Sequence, residues 1–130
     1  MRTLRGLAAA TEVFYFQQED ATVPMVRWLD ELNRKARQKC LARLERLHMM
    51  GHELRRPEGD YLRDGIYELR ASHQGVHYRM LYFFHGTAAI IVSHGLTKEQ
   101  RVPAREIDLA IRRKEQFEAS PKRHAYRPKG

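Results

Sequence analysis

The chain has 130 residues, a mass of 15.4 kDa and a hydrophobic fraction of 42%, which suits one domain with one core and excludes a disordered chain. The formal net charge of +8 and the pI near 10.0 point to a polyanionic partner, nucleic acid before others. No run approaches the ~20 apolar residues of a membrane span. One cysteine, Cys40, excludes an internal disulfide and fits a reducing, cytoplasmic setting.

Residues 1–11 read as a loose leader, too short in its apolar part for a signal-peptide core. Glu12 to Phe16 is β-branched and aromatic and predicts a first strand. Pro24 suits the first turn of a helix, and Met25, Trp28, Leu29 and Leu32 give it one apolar face. Asn33 re-caps the chain for a second helix. Ala36, Cys40, Leu41, Leu44 and Leu47 line one side of that helix, and arginines and lysines the other. Gly51 is its expected C-cap, and the pair forms an αα-hairpin. Cys40 lies on the apolar side, so it reads as a buried structural thiol.

Pro57 and Gly59 mark a loop, and Asp64-Gly65 a turn. Ile66 to Arg70, Val76 to Phe84 and Ala88 to Ser93 follow as three strands joined by short turns, an antiparallel meander. Pro103 starts a last helix carrying Ala104, Ile107, Ala110, Ile111 and Phe117 on one face. Residues 118–130 turn basic and read as a flexible tail. The expected class is α+β: a small twisted antiparallel sheet with an N-terminal helical hairpin on one face and a C-terminal helix, in one domain over residues 12–117. The reading puts all helices on one face.

The common catalytic motifs and a zinc-type cysteine pair are absent. His48 and His52 stand at i, i+4, but Gly51 should end the helix between them, so no metal site is expected. A basic cluster remains. Arg70 ends one strand, Arg79 lies in the next, His94 ends the third, and Lys98 and Arg101 follow in the loop. Two arginines on neighbouring strands repel, so an anion between them is a sensible occupant. Fixed guanidinium groups suit the charge that develops when an RNA 2′-oxygen attacks phosphorus, with His94 or Lys98 as acid or base. A plain ion pair between Arg79 and Glu68 is the structural alternative. Arg55, Arg56, His77, Lys122 and Arg123 are further cations expected to touch RNA.

The run Leu62-Arg63-Asp64-Gly65-Ile66-Tyr67-Glu68-Leu69-Arg70 resembles a segment of the RelE/ParE superfamily, with the phage-derived HigB-like branch nearest. Tyr78-Arg79-Met80-Leu81-Tyr82-Phe83, His94-Gly95-Leu96-Thr97-Lys98 and Val102-Pro103-Ala104-Arg105-Glu106-Ile107 resemble further segments in the same order. The likeness spans about Val13 to Phe117. It implies a type II toxin–antitoxin toxin, a RelE-like fold, and mRNA cleavage on the ribosome without a cofactor. It also implies a helix-turn-helix antitoxin as partner, in a toxin–antitoxin hetero-oligomer. It points to Arg70, Arg79 and Lys98 first, then His94 and Arg101. Where the branch often has two lysines, this chain has Thr97-Lys98. A ParE-like gyrase inhibitor without catalysis, and an inactive nucleic-acid or partner-binding module, are the competing readings.

Overall fold

The computed structural model describes residues 10–97 and 100–129. In chain order it contains β1 (Glu12–Phe16), α1 (Pro24–Glu31), α2 (Arg34–Met50), β2 (Gly59–Arg63), β3 (Ile66–His73), β4 (Val76–His85), β5 (Ala89–Thr97), α3 (Ala104–Ala119), α4 (Pro121–His124) and β6 (Ala125–Tyr126), with a 3-10 turn at Gly51–Glu53. The strands form one sheet in the order β2-β3-β4-β5-β1-β6. The β2-β3-β4-β5 run is antiparallel, β1 joins β5 in parallel, and β6 closes antiparallel on β1. The class is α+β, as expected.

Local chemistry sets the helical hairpin. The Asn33 side chain accepts from the Ala36 N–H at 2.9 Å, which ends α1 and caps α2. Gly51 takes φ +54° at the end of α2, and a Cβ there would lie 2.5 Å from Thr11 Oγ1. Only glycine meets both demands. Met25, Leu29, Ala36, Cys40, Leu44 and Leu47 then bury against Tyr15, Leu69, Tyr78, Met80, Tyr82, Ile90 and Val92. Burial pushes the Cys40 thiol up to about 12, which keeps it protonated and inert.

The second face of the sheet is also covered. Ile107, Ala110 and Phe117 of α3 pack on Phe16, Ile66, Leu81, Phe83 and Ile91, opposite the hairpin. The expectation that all helices share one face is therefore corrected. The sequence carries the reason: a strand apolar on alternate residues of both parities, as in Met80 to Phe83 and Ile90 to Val92, is covered on both sides.

Two further expectations change. The segment around Gly59, read as loop, is β2, the sheet edge beside β3. The supposed tail from Glu118 is packed over its first half. Glu118 and Ala119 finish α3, His124 is 3% exposed and stacks on Phe16 at 5.0 Å, and its Nδ1 lies 2.7 Å from the Gln17 carbonyl. Tyr126 stacks on Tyr15. Basic composition misled here, because an imidazole presents an apolar ring to the core and only its edge is polar. Of the leader, Thr11 is buried and its N–H donates to the His48 carbonyl at 2.8 Å; residues 1–9 lie outside the described residues.

Gly95 marks the closest approach of helix to sheet. A Cβ there would sit 2.3 Å from the Trp28 ring, and Trp28 Nε1 donates to Thr97 Oγ1 at 2.9 Å. Gly95→Ala is expected to cost about 1–3 kcal/mol through overpacking, with a shift in the emission of Trp28. An unchanged melting temperature and spectrum would show that the indole moves aside freely.

Candidate nucleic-acid cleavage site

The face of the sheet that α3 covers is apolar at one end and charged at the other. On β3 the residues of this face are Ile66, Glu68 and Arg70; on β4 they are Arg79, Leu81 and Phe83. Arg70 and Arg79 are direct partners in the register, as are Asp60 and Glu68. Period-two alternation thus brings two guanidinium groups and two carboxylates together where α3 ends its cover.

The anion between the arginines is the protein's own. Glu68, with a side chain only 4% exposed, takes Arg70 Nη2 on Oε2 at 2.7 Å and Arg79 Nη1 on Oε1 at 2.7 Å. Asp60 holds Arg56 at 2.9 Å and Arg70 at 3.2 Å. The hydrogen bond from Arg56 keeps the Asp60 carboxyl below the usual carboxylate range. Charges therefore alternate along Arg56, Asp60, Arg70, Glu68 and Arg79. Among the described residues of the row, three cations stand against two carboxylates. Arg79 Nη2 also donates to the Gln100 carbonyl, which ties the loop after β5 to this row.

The two arginines differ in access. The Arg79 side chain is 12% exposed and that of Arg70 34%. The bonds of Arg70 use Nε and Nη2, and its Nη1 makes none among the described residues. Its backbone is gripped as well: the Arg70 N–H donates to the Glu58 carbonyl at 2.8 Å, and Arg43 Nε of α2 donates to the Arg70 carbonyl at 2.8 Å. Such a group is pre-oriented for an incoming oxyanion and needs little reorganisation.

His94 reaches this face through a bulge. Leu81 pairs with His94 while Tyr82 pairs with Val92, so Ser93 is an extra residue in β5. Without it, His94 would point with Ile90 and Val92 into the hairpin core. Its ring is enclosed, with Nδ1 2.7 Å from Ser93 Oγ and Nε2 2.9 Å from Glu106 Oε1. Burial lowers its pKa, Arg113 adds to that, and the hydrogen bond to Glu106 opposes both. A histidine held neutral by the fold loses stability as pH falls. Its contribution is complete above the unfolded value, ~6.5, and fades as pH drops toward the lower folded value. Denaturant midpoints between pH 7.5 and 5, as working limits spanning that value, should fall more steeply for the wild type than for His94→Gln. Parallel curves would remove this linkage.

The remaining expected residues are dispersed. Arg101 is exposed and follows Gln100; Lys98 lies outside the described residues. His77 is exposed on β4, on the Arg79 face and opposite Ser72. Arg55 is exposed beside the β2 edge and donates to the His52 carbonyl, and Arg56 is held by Asp60. Lys122 and Arg123 sit on α4 beside β6, across the whole sheet from Arg56, with Arg123 near Glu19 at 3.9 Å. One patch does not unite them: Arg56 joins the Arg70–Arg79 row through Asp60, while Lys122 and Arg123 lie at the opposite edge of the sheet. What the sequence reading underweighted is acidic: Glu68 was weighed only as a partner for Arg79, and Asp60 was hidden by the reading of its segment as loop.

Among the described residues no His, Cys, Asp or Glu group has the makings of a metal site, and no helix is long and apolar enough to cross a membrane. A search of curated proteins found no match. A family model described as "Phage derived protein Gp49-like (DUF891)" matches residues 27–115, more than half of the chain and all of the Arg70–Arg79 row. The chain therefore belongs to the Gp49-like phage-derived proteins, a RelE/ParE-like toxin family associated with toxin–antitoxin systems.

Proposed function

We propose that the chain is a metal-independent endoribonuclease that cuts mRNA in the cytosol, on the ribosome, as the toxin of a type II pair in the HigB-like manner. The observation that carries this reading is the pairing of Arg70 with Arg79 across β3 and β4, braced by Glu68 at the edge of the α3 cover. In this reaction the RNA 2′-oxygen loses its proton to a base and bonds to phosphorus. The bond from phosphorus to the 5′-oxygen breaks, and that oxygen takes a proton from an acid. The products are a 2′,3′-cyclic phosphate and a 5′-hydroxyl. Arg70 and Arg79 stabilise the charge on the phosphoryl oxygens. Glu68, clamped by two guanidinium groups, serves to aim them. The acid and base are assigned to Lys98 and His94, with Lys98 first because both ring nitrogens of His94 are engaged, and Arg101 is a further cation for the phosphate.

The family implies an antitoxin. A helix-turn-helix protein with an acidic face complements the charge of +8 and would cover the arginine row. The test is induction of the chain alone in a bacterium, beside an Arg70→Ala, Arg79→Ala double variant shown to be folded. Arrested translation with cleaved mRNA in the wild type only is the expected result. DNA damage in place of translation arrest would overturn the nuclease reading in favour of gyrase inhibition.

A further inference from the structure

A second cationic site lies on the other side of β5. There β5 runs past the end of β1, which pairs with it only as far as Val92. The gap left beside His94 and Gly95 is a cleft of about 300 Å³ between α1 and α3, walled by Trp28, Leu109, Arg27 and Arg113.

Arg113 is half-buried and makes no ion pair among the described residues. Its bonds are long: 3.4 Å to the Ser93 carbonyl, 3.4 Å to Ser93 Oγ and 3.4 Å to Gln18 Oε1, and its guanidinium lies 5.5 Å from the Phe16 ring centre. Burial lowers its pKa. Arg27, on the rim, makes no side-chain hydrogen bond or ion pair among the described residues. A guanidinium withdrawn from water with no carboxylate in contact carries a desolvation cost that the more distant Glu106 offsets only in part, and an entering anion relieves the rest. Glu31 shares the rim, and Asp20 and Glu106 act on Arg27 and Arg113 from farther off, but none of the three makes an ion pair with either guanidinium among the described residues. Guanidinium forks match phosphate oxygens, and the indole in the wall offers a stacking surface for a base.

We infer that this cleft binds a phosphate group of the RNA strand, away from the bond that is cut; the assignment rests on the RNA reading given above. Arg79 pairs with Leu96 of β5, and the cleft opens on the opposite side of that strand. Two strand spacings, roughly 10 Å, separate the sites, a span that non-adjacent phosphates of one single strand can bridge. The cleft would then fix the register of the strand over the Arg70–Arg79 row.

The test is binding of a short single-stranded RNA, 2′-O-methylated throughout so that it cannot be cut, followed by anisotropy across a salt series. The proteins are the wild type, Arg113→Gln, Arg27→Gln and Arg112→Gln, the last a control at an exposed neighbour. Arg113→Gln and Arg27→Gln are each expected to weaken binding several-fold. Each should flatten the plot of log K against log salt by about 0.7, the single-strand value for one phosphate contact. Arg112→Gln should leave the slope alone. Arg27 has no bonds to lose, so its variant stays informative if Arg113→Gln folds poorly. Unchanged slopes for both variants, or an equal change for Arg112→Gln, would overturn the site. So would unchanged RNA binding with weakened binding of a polyglutamate peptide, which would assign the cleft to protein carboxylates. Cleavage of the all-ribose form of the same RNA is followed in parallel. A wild type that binds through the cleft and does not cut removes the nuclease reading and keeps the phosphate site; one that cuts, with binding indifferent to Arg113 and Arg27, does the reverse.

Discussion

Glu68→Ala is expected to destabilise the fold by about 3 kcal/mol, because it removes the carboxylate that bridges two guanidinium groups in a partly dry site. Arg70 and Arg79 face each other directly in the register, and the Glu68 carboxylate bonds to both at 2.7 Å. Without it, two like charges stand on neighbouring strands, and Arg79, with a side chain 12% exposed, has little water to turn to. Arg70 is a third exposed and relaxes more easily, which keeps the figure at the lower end for a broken buried pair. For a domain of this size the melting temperature should fall by about 10 °C. The sharper readout is rescue. The Glu68→Ala variant holds an empty anion site between two arginines, so sulfate or phosphate should raise its melting temperature much more than that of the wild type. Equal responses to these salts would show that Glu68 does not separate the two cations. Glu68→Gln keeps the shape and removes the charge, and is expected to behave like Glu68→Ala in this comparison.

The same carboxylate shows where reading the sequence stopped. Residue order and alternation made the meander legible, because Ile66 to Arg70 and Val76 to Phe84 are long, apolar and bounded by Asp64-Gly65 and Gly75. The helices were legible from the Asn33 cap, Pro24 and the spacing of apolar residues. Pairing was not. That β1 lies parallel to β5 depends on contacts far apart in the chain, and local pattern does not encode them. The bulge at Ser93 reverses the side on which His94 stands, and a single extra residue leaves no mark in composition. The segment of β2 was hidden by Pro57 and Gly59, although Gly59 is accommodated at the sheet edge against Leu54 and the Tyr82 hydroxyl. Arg70 and Arg79 were identified as residues but their partner was left open, since an expected anion between two arginines is equally well supplied by substrate or by protein. Here it is supplied by Glu68, two positions before Arg70 on the same strand face. The i, i+2 spacing of an acidic and a basic residue on a strand is the signal that was available for it.

Arg79→Lys is expected to lower RNA cleavage by about 10²–10³-fold, close to the loss for Arg79→Ala and of the size found when a pre-oriented oxyanion donor is removed. This prediction rests on the nuclease reading. The guanidinium of Arg79 spans two anchors at once, Glu68 through Nη1 and the Gln100 carbonyl through Nη2. Its planar fork does this with the charge fixed in direction. A lysine ammonium is a compact point charge on a flexible stem. It keeps the net charge of +8 but reaches one anchor at a time, and releases the loop that begins the approach to Arg101. If the site works through general positive potential, the lysine variant keeps most of its activity and the salt dependence of RNA binding is unchanged. If it works through aimed donors, binding changes little while the single-turnover rate collapses. Arg70→Lys supplies the contrast. Arg70 is more exposed, and its backbone is held by Glu58 and Arg43 whatever the side chain. Its lysine variant should therefore retain more activity than Arg79→Lys. The reverse order would make Arg70 the better-aimed donor and Arg79 mainly a brace for the sheet.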